Sequence, residues 1–277
     1  MRKFVSSFFN IIAHYPLHLA AQNGNVIEVK RLLKLGIDTE SIYSGYTPLY
    51  IAILGKKHEC VLALLEHGAN PNSLISFKNR SSSVAQICLD RCKTDILELL
   101  IMYDANVDAL RFSEDNQEMK ESVNRVSAIK NQLTRVKDCA DSYLKNLNYL
   151  EAAKAYQEAS TLWLSVIQRD TDAVYKEHYQ TKAFSYYANI NHCYQEALNR
   201  RILQVPECEF YRACFTEAVN LGRSLRKNKD VVTYEKLLSQ LSNSQNISVP
   251  SNDQRTISVN LPPMDTKQTN SVHLKIS

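Results

Sequence analysis

Gly45-Tyr46-Thr47-Pro48-Leu49-Tyr50-Ile51-Ala52, followed by His58-Glu59-Cys60-Val61, Leu64-Leu65 and Gly68-Ala69-Asn70, is the stretch that decides the fold. Thr47 can cap a helix and Pro48 can open it, because the first helical residue has no use for an N–H. Leu64 and Leu65 supply the apolar face of a second helix, and Gly68 stands where a left-handed residue ends it. The pattern is a pair of short helices closed by a turn.

The same pattern recurs on both sides. Pro48, Val61 and Gly68 each lie 32 residues after Pro16, Val29 and Gly36. Leu17-His18-Leu19-Ala20-Ala21 matches Leu49-Tyr50-Ile51-Ala52, and Leu32-Leu33 matches Leu64-Leu65. A weaker third copy runs through Val84-Ala85-Gln86-Ile87-Cys88, Ile96-Leu97, Leu99-Leu100 and Asp104-Ala105-Asn106. Asp104 follows Gly68 by 36 residues, so about four extra residues are expected in the turn near Ser73–Ser76. Asp tolerates the left-handed conformation that the position requires. A unit this small cannot bury its own apolar face, so the copies are expected to stack and share a core.

Over residues 10 to 110 these motifs resemble the ankyrin repeat family. The resemblance implies a short solenoid with a concave face of turns and first helices that holds a partner protein. Carried over position by position, it makes Tyr43, Ser44, Tyr46, Leu54, Phe77, Asn79, Arg80, Asp90 and Arg91 the candidate partner contacts. Tyr43 and Tyr46 also fall in the turn leading into Thr47-Pro48, and tyrosine offers large contact area at low entropy cost. The opening Met1-Arg2-Lys3 with Phe4 to Ala13 reads as a helix over Phe4–Ile12 that caps the stack, because Ser6, Ser7 and Asn10 interrupt the apolar run of a signal peptide.

From Ser113 the period changes. Met119, Val123, Val126, Ile129, Leu133, Val136, Ala140, Tyr143 and Leu147 recur at steps of three and four, which is one long amphipathic helix. Ala140, Tyr143, Tyr149, Ala152, Tyr156 and Ala159 resemble one tetratricopeptide unit, two antiparallel helices with tyrosines between them and alanines at close contacts. That family's carboxylate clamp would use Lys137, but Asp141 occupies its Asn position and would repel a carboxylate. Further helices are expected at about 172–203, 206–227 and 230–242, the second opened by Pro206 with Glu207 and Glu209 in its first turn. Tyr175, Tyr179, Tyr186, Tyr187 and Tyr194 recur at helical spacing and read as packing. Beyond Asn243 the chain is rich in Ser, Asn and Gln and reads as disordered, with Val259–Met264 as its one candidate docking motif.

The expected fold is therefore all-α. A 1–111 ankyrin-repeat stack with its cap precedes a 112–242 antiparallel, tetratricopeptide-like helical domain and a disordered 243–277 tail. Apolar residues at 44% and charged residues at 22% suit a globular protein, and six glycines with seven prolines leave too few turns for a sandwich or barrel. A formal charge of +4 gives no case for nucleic acid. No stretch approaches the roughly 18 apolar residues of a membrane span. The seven cysteines contain no Cys-x-x-Cys pair and read as buried hydrophobes in a reducing compartment. No phosphate loop, His-Glu-x-x-His or Gly-x-Ser-x-Gly is present, and His192 beside Cys193 would point about 100° away from it on a helix. No enzyme, cofactor or metal site is expected.

The leading expectation is a monomeric, cytoplasmic, non-catalytic adaptor that binds another protein. Two alternatives stand beside it. One is an exported effector of an intracellular bacterium, with the stack as targeting module and the polar tail as export signal. The other is a peptide-binding co-chaperone built on the tetratricopeptide-like unit.

Overall fold

A computed structural model describes residues 15–77, 80–91, 93–169 and 171–243 of the chain. The expected cap over Phe4–Ile12 and the expected tail lie outside these residues. Eleven α-helices run in sequence among them. Three short pairs come first: α1 Pro16–Asn23 with α2 Val26–Lys34, α3 Pro48–Leu54 with α4 His58–Glu66, and α5 Val84–Asp90 with α6 Thr94–Met102. Five longer helices follow: α7 Gln117–Lys145, α8 Tyr149–Ser165, α9 Ala173–Asn199, α10 Val205–Ser224 and α11 Asn228–Asn243. The all-α expectation holds, and so does the third, weakest helix pair.

The pairs repeat in detail. Each inner corner is closed by a backbone bond of one kind: Asn25 N–H to Ala20 O, Lys57 to Ala52 and Lys93 to Cys88, at 2.9–3.0 Å. Each pair ends alike, with Ile37 N–H on Leu32 O, Ala69 on Leu64 and Ala105 on Leu100, around residues of positive φ at Gly36, Gly68 and Asp104. Asp104 takes φ 71°, as its place in the repeat demands. Beyond each end an Asx turn follows. Asp38, Asn70 and Asn106 each accept from the backbone two residues on, at 2.9 Å.

Neighbouring pairs are laced together by one recurring position. Glu40 accepts from Asn70 N–H at 2.9 Å, and Asn72, which follows Glu40 by one repeat, accepts from Asn106 N–H at 2.7 Å. First helices pack on first helices (α1 on α3) and second on second (α2 on α4), so the stack has two rows.

The four extra residues between the second and third pairs form structure of their own. β1 Leu74–Phe77 and β2 Arg80–Ser83 pair antiparallel in the register Leu74↔Ser83, Ile75↔Ser82, Ser76↔Ser81 and Phe77↔Arg80. A longer turn was expected here, and the chain makes a hairpin. The alternation explains it: Ile75 is 3% exposed and points into the core, while Leu74 beside it is 69% exposed.

The second row carries the helical half. α7 packs on α6, and α9 meets α4 while lying between α8 and α10. One continuous apolar core runs from Leu17 to Leu241. In the helical half it is filled by Tyr175, Tyr179, Tyr211 and Phe215, all fully buried, and by Ala152, Ala153 and Ala159, which let α8 approach its neighbours closely. The expected core seam of α7 holds from Met119 to Ala140 but not at its end. Tyr143 is 37% exposed and Leu147 51%, because Leu147 lies past the helix in a left-handed corner, φ 59°.

Candidate partner-binding surface

Three of the expected contacts meet in one hairpin tip. Tyr43 and Tyr46 exchange both backbone hydrogen bonds at 3.0 Å, with Ser44 and Gly45 at positive φ between them (53° and 84°). This is the two-residue turn whose twist suits a hairpin, and it needs φ > 0 at both central positions. The tip is held from behind by His18, whose Nε2 lies 3.0 Å from Tyr46 O. Burial lowers the pKa of His18, so it braces the tip as a neutral ring.

The tip is aromatic on both sides. Tyr15 and Tyr43 lie 4.6 Å apart between ring centroids, and Tyr46 stacks on Tyr50 at 5.1 Å and 26°. Thr47 caps α3 by accepting from Tyr50 N–H, which fixes the ring that Tyr46 leans on. Tyr43 is accordingly half-buried among Tyr15 and His18, while Ser44 is exposed.

A second group gathers at the far ends of the first helices. Leu54 and Asp90 occupy the same place in successive repeats, at the last residue of α3 and of α5, and Arg91 follows Asp90. All three are exposed. Asp90 accepts from Gln86 Nε2 at 2.7 Å, and the Arg91 charge acts on Tyr50. Seven helical residues separate this group from the tips, about 10 Å at the helical rise. The other expected contacts belong to the longer hairpin: Phe77 and Arg80 face each other as its last described pair, and Asn79 lies outside the described residues.

Sequence reasoning missed Gln86. Its amide accepts from Arg111 N–H at 2.8 Å and donates to Arg111 O at 3.1 Å, bracing the segment after α6 as His18 braces the Tyr46 tip. The only available signal was position, since Gln86 follows His18 and Tyr50 in repeat order. Also missed was a polar seam between the second row and the helical half. His58 Nδ1 lies 3.5 Å from Asp95 and 3.8 Å from Asp172. His178 Nδ1 lies 3.4 Å from Glu66, and its Nε2 is 3.2 Å from the Tyr103 hydroxyl. The His178 contact holds the Glu66 carboxyl below its usual range. Glu98, buried in α6, meets Ser122, Arg125 at 3.1 Å and Gln168 at 2.7 Å, and burial raises its pKa despite these partners.

Three buried thiols are poor nucleophiles. Burial pushes the thiols of Cys88, Cys193 and Cys214 up to about 12, which leaves them protonated and inert. His192 is exposed while Cys193 is fully buried, so the two point apart. Among the described residues no group of three His, Cys, Asp or Glu side chains could hold a metal ion, and no helix is long and apolar enough to cross a membrane.

The family model described as ankyrin repeats, three copies, matches residues 6–75. The α5–α6 pair lies beyond that match and is tied to it by Asn72, which accepts from Asn106 N–H and donates to Asp104 O. Residues 6–75 thus match ankyrin repeats, and they stand at the N-terminal end of a longer helical structure.

Proposed function

We propose that the chain is a non-catalytic adaptor holding a partner protein across the hairpin tips and the ends of the first helices. The repeats mark it as a protein–protein interaction module. The observation that carries the finer reading is the stacked Tyr46–Tyr50 pair, with exposed Leu54, Asp90 and Arg91 at the other end of the same helices. Aromatic and arginine anchors of this kind concentrate binding energy, each costing about 2 kcal/mol or more when truncated. The helical half seats on the second row, through α4 and α6, and leaves this surface to a partner.

Tyr46→Ala and Arg91→Ala in the full chain should each weaken capture of its partners about thirtyfold, with little change in circular dichroism. Normal capture by both variants, with capture abolished by Lys120→Ala on α7, would place the activity in the helical half. The co-chaperone alternative has no such support, since Asp141 adds to the charge around the Tyr156 hydroxyl where a clamp would want an amide. The export signal of the effector alternative falls beyond residue 243.

A further inference from the structure

We propose that the groove between α2, α4 and α9 is a second docking surface, one that takes a basic, amphipathic helical segment of a partner protein. The groove has a volume of about 370 Å³. That is at the small end for a ligand site, so it suits one or two side chains projecting from a helix laid across it. It is a composite feature. Two walls come from the second row of the repeats and the third from α9 of the helical half.

Its chemistry is two-sided. The floor is apolar, made by Val26, Leu62 and Val174. The rim carries Glu59, Glu66 and Glu177 against one lysine of the lining, Lys30, while Lys182 on α9 also acts on Glu66. Glu59 and Glu177 are exposed and make no ion pair among the described residues. Glu66 is kept ionised by His178, whose buried ring closes the back of the groove. The whole chain carries a formal charge of +4, so this acidic rim is a local reversal rather than a general property of the surface.

An arginine or lysine aimed between Glu59 and Glu177 would be partly desolvated by the apolar floor, which strengthens its attraction to both carboxylates. Leucine-sized residues one helical turn away on the same face would cover Val26 and Leu62. This surface is separate from the hairpin tips, and its test does not depend on theirs.

The probe is a fluorescein-labelled, alanine-based helical peptide with Leu and Arg on one face, compared with a counterpart carrying Glu for Arg. Anisotropy with the full chain should show binding of the Arg peptide alone. Glu59→Lys with Glu177→Lys should weaken it by about tenfold or more, and Lys30→Glu should strengthen it severalfold. Glu209→Lys on α10, the same charge change as either groove substitution alone but placed away from the groove, should leave binding unchanged, as should Tyr46→Ala. Equal binding of both peptides, or equal weakening by Glu209→Lys, overturns the proposal. So does tighter binding after removal of residues 1–14 or 244–277, which would make the occupant a segment of this chain. A dimer in sedimentation equilibrium that the groove variants dissociate overturns it too, since the occupant would then be a second copy.

Discussion

Five of the six glycines fall between Gly24 and Gly68, inside the repeats, and the helical half has only Gly222. The two regions turn their corners with the same backbone device but different residues. In the stack, Gly36, Gly68 and Asp104 take the left-handed position at the ends of second helices, and Gly24 and Lys56 take it between the helices of a pair. In the helical half that position falls to Leu147, Arg201 and Arg226, at φ 59°, 56° and 56°. Each is closed by the same bond, to Tyr143 O, Ala197 O and Gly222 O respectively. A repeat makes its corner within a unit that buries little, so glycine holds three of the five left-handed corners described above, with Lys56 and Asp104 at the other two. A helix of 20 or more residues buries enough surface to carry a strained one. The comparison predicts that changes in the stack act through local geometry and that changes in the helical half act through packing.

The largest effect should come from Leu64→Asp. Leu64 is fully buried in α4, which touches both α2 and α9. An unpaired carboxylate there should cost more than about 4 kcal/mol. Because one core runs through both regions, the far-ultraviolet signal of the helices and the near-ultraviolet signal of the tyrosines should be lost together in urea. A surviving tyrosine signal would mean that the helical half folds by itself, and the two regions would then be separate units.

Gly222→Ala tests the other side of the comparison. A Cβ at this position would lie 2.7 Å from Val231 Cγ2 and 2.9 Å from Phe184 Cε2. Gly222 is thus there for the close approach of α9 and α11, not for its backbone angles. Alanine gains about 1 kcal/mol of helix propensity, but overpacking costs about 1–3 kcal/mol. The variant should be destabilised by about 1 kcal/mol in urea titration. A gain in stability would show that Phe184 and Val231 can yield at no cost.

What the sequence disclosed follows the same division. Repetition made the stack legible: Thr47-Pro48, Gly68 and the 32-residue offset each report a backbone requirement that few residue types satisfy. Even the degraded third copy kept Asp104 where φ must be positive. The long helices were legible from apolar spacing, since Met119 to Ala140 and the tyrosines of α9 face the core as the period requires. The seam was not. Glu98 sits among Leu97, Leu99 and Leu100, and its partners Ser122, Arg125 and Gln168 lie 24, 27 and 70 residues away. No local pattern reports a contact that only the folding of α7 and α9 onto the second row creates. The hairpin at 74–83 was seen as extra length but not as strands, because four-residue runs such as Leu74-Ile75-Ser76-Phe77 are too short for their alternation to stand out.

Glu98→Gln gives the seam a pH signature. Burial raises the carboxyl pKa of Glu98 in the folded chain. Between the ordinary carboxylate value and that raised value the folded chain binds more protons than the unfolded one. Its stability therefore falls as pH rises through this window. The stabilising contribution is present below the unfolded pKa and lost above the folded one. Glutamine has no such dependence, so the variant should gain on the wild type as pH rises across the window, measured as the difference in urea midpoints. Glu66, whose pKa is lowered, contributes the opposite slope at lower pH in both proteins and cancels in the difference. A constant difference would mean that Arg125 and Ser122 fully offset the burial.

The smallest effects come from exchanging the corners themselves. Gly68 takes φ 86° with nothing within 4 Å of a would-be Cβ, so Gly68→Ala should cost about 1 kcal/mol from the backbone alone. Arg226 takes φ 56°, is exposed and makes no ion pair among the described residues. Arg226→Gly therefore relieves about 1 kcal/mol of left-handed strain, while the looser unfolded chain returns part of it. The net gain should be about 0.5 kcal/mol, read as a higher urea midpoint at unchanged slope. The opposite signs at two corners closed by the same bond are what the comparison requires. If Arg226→Gly instead destabilises, the arginine side chain contributes to the α10–α11 corner by packing its stem, and that contact outweighs the strain of its backbone.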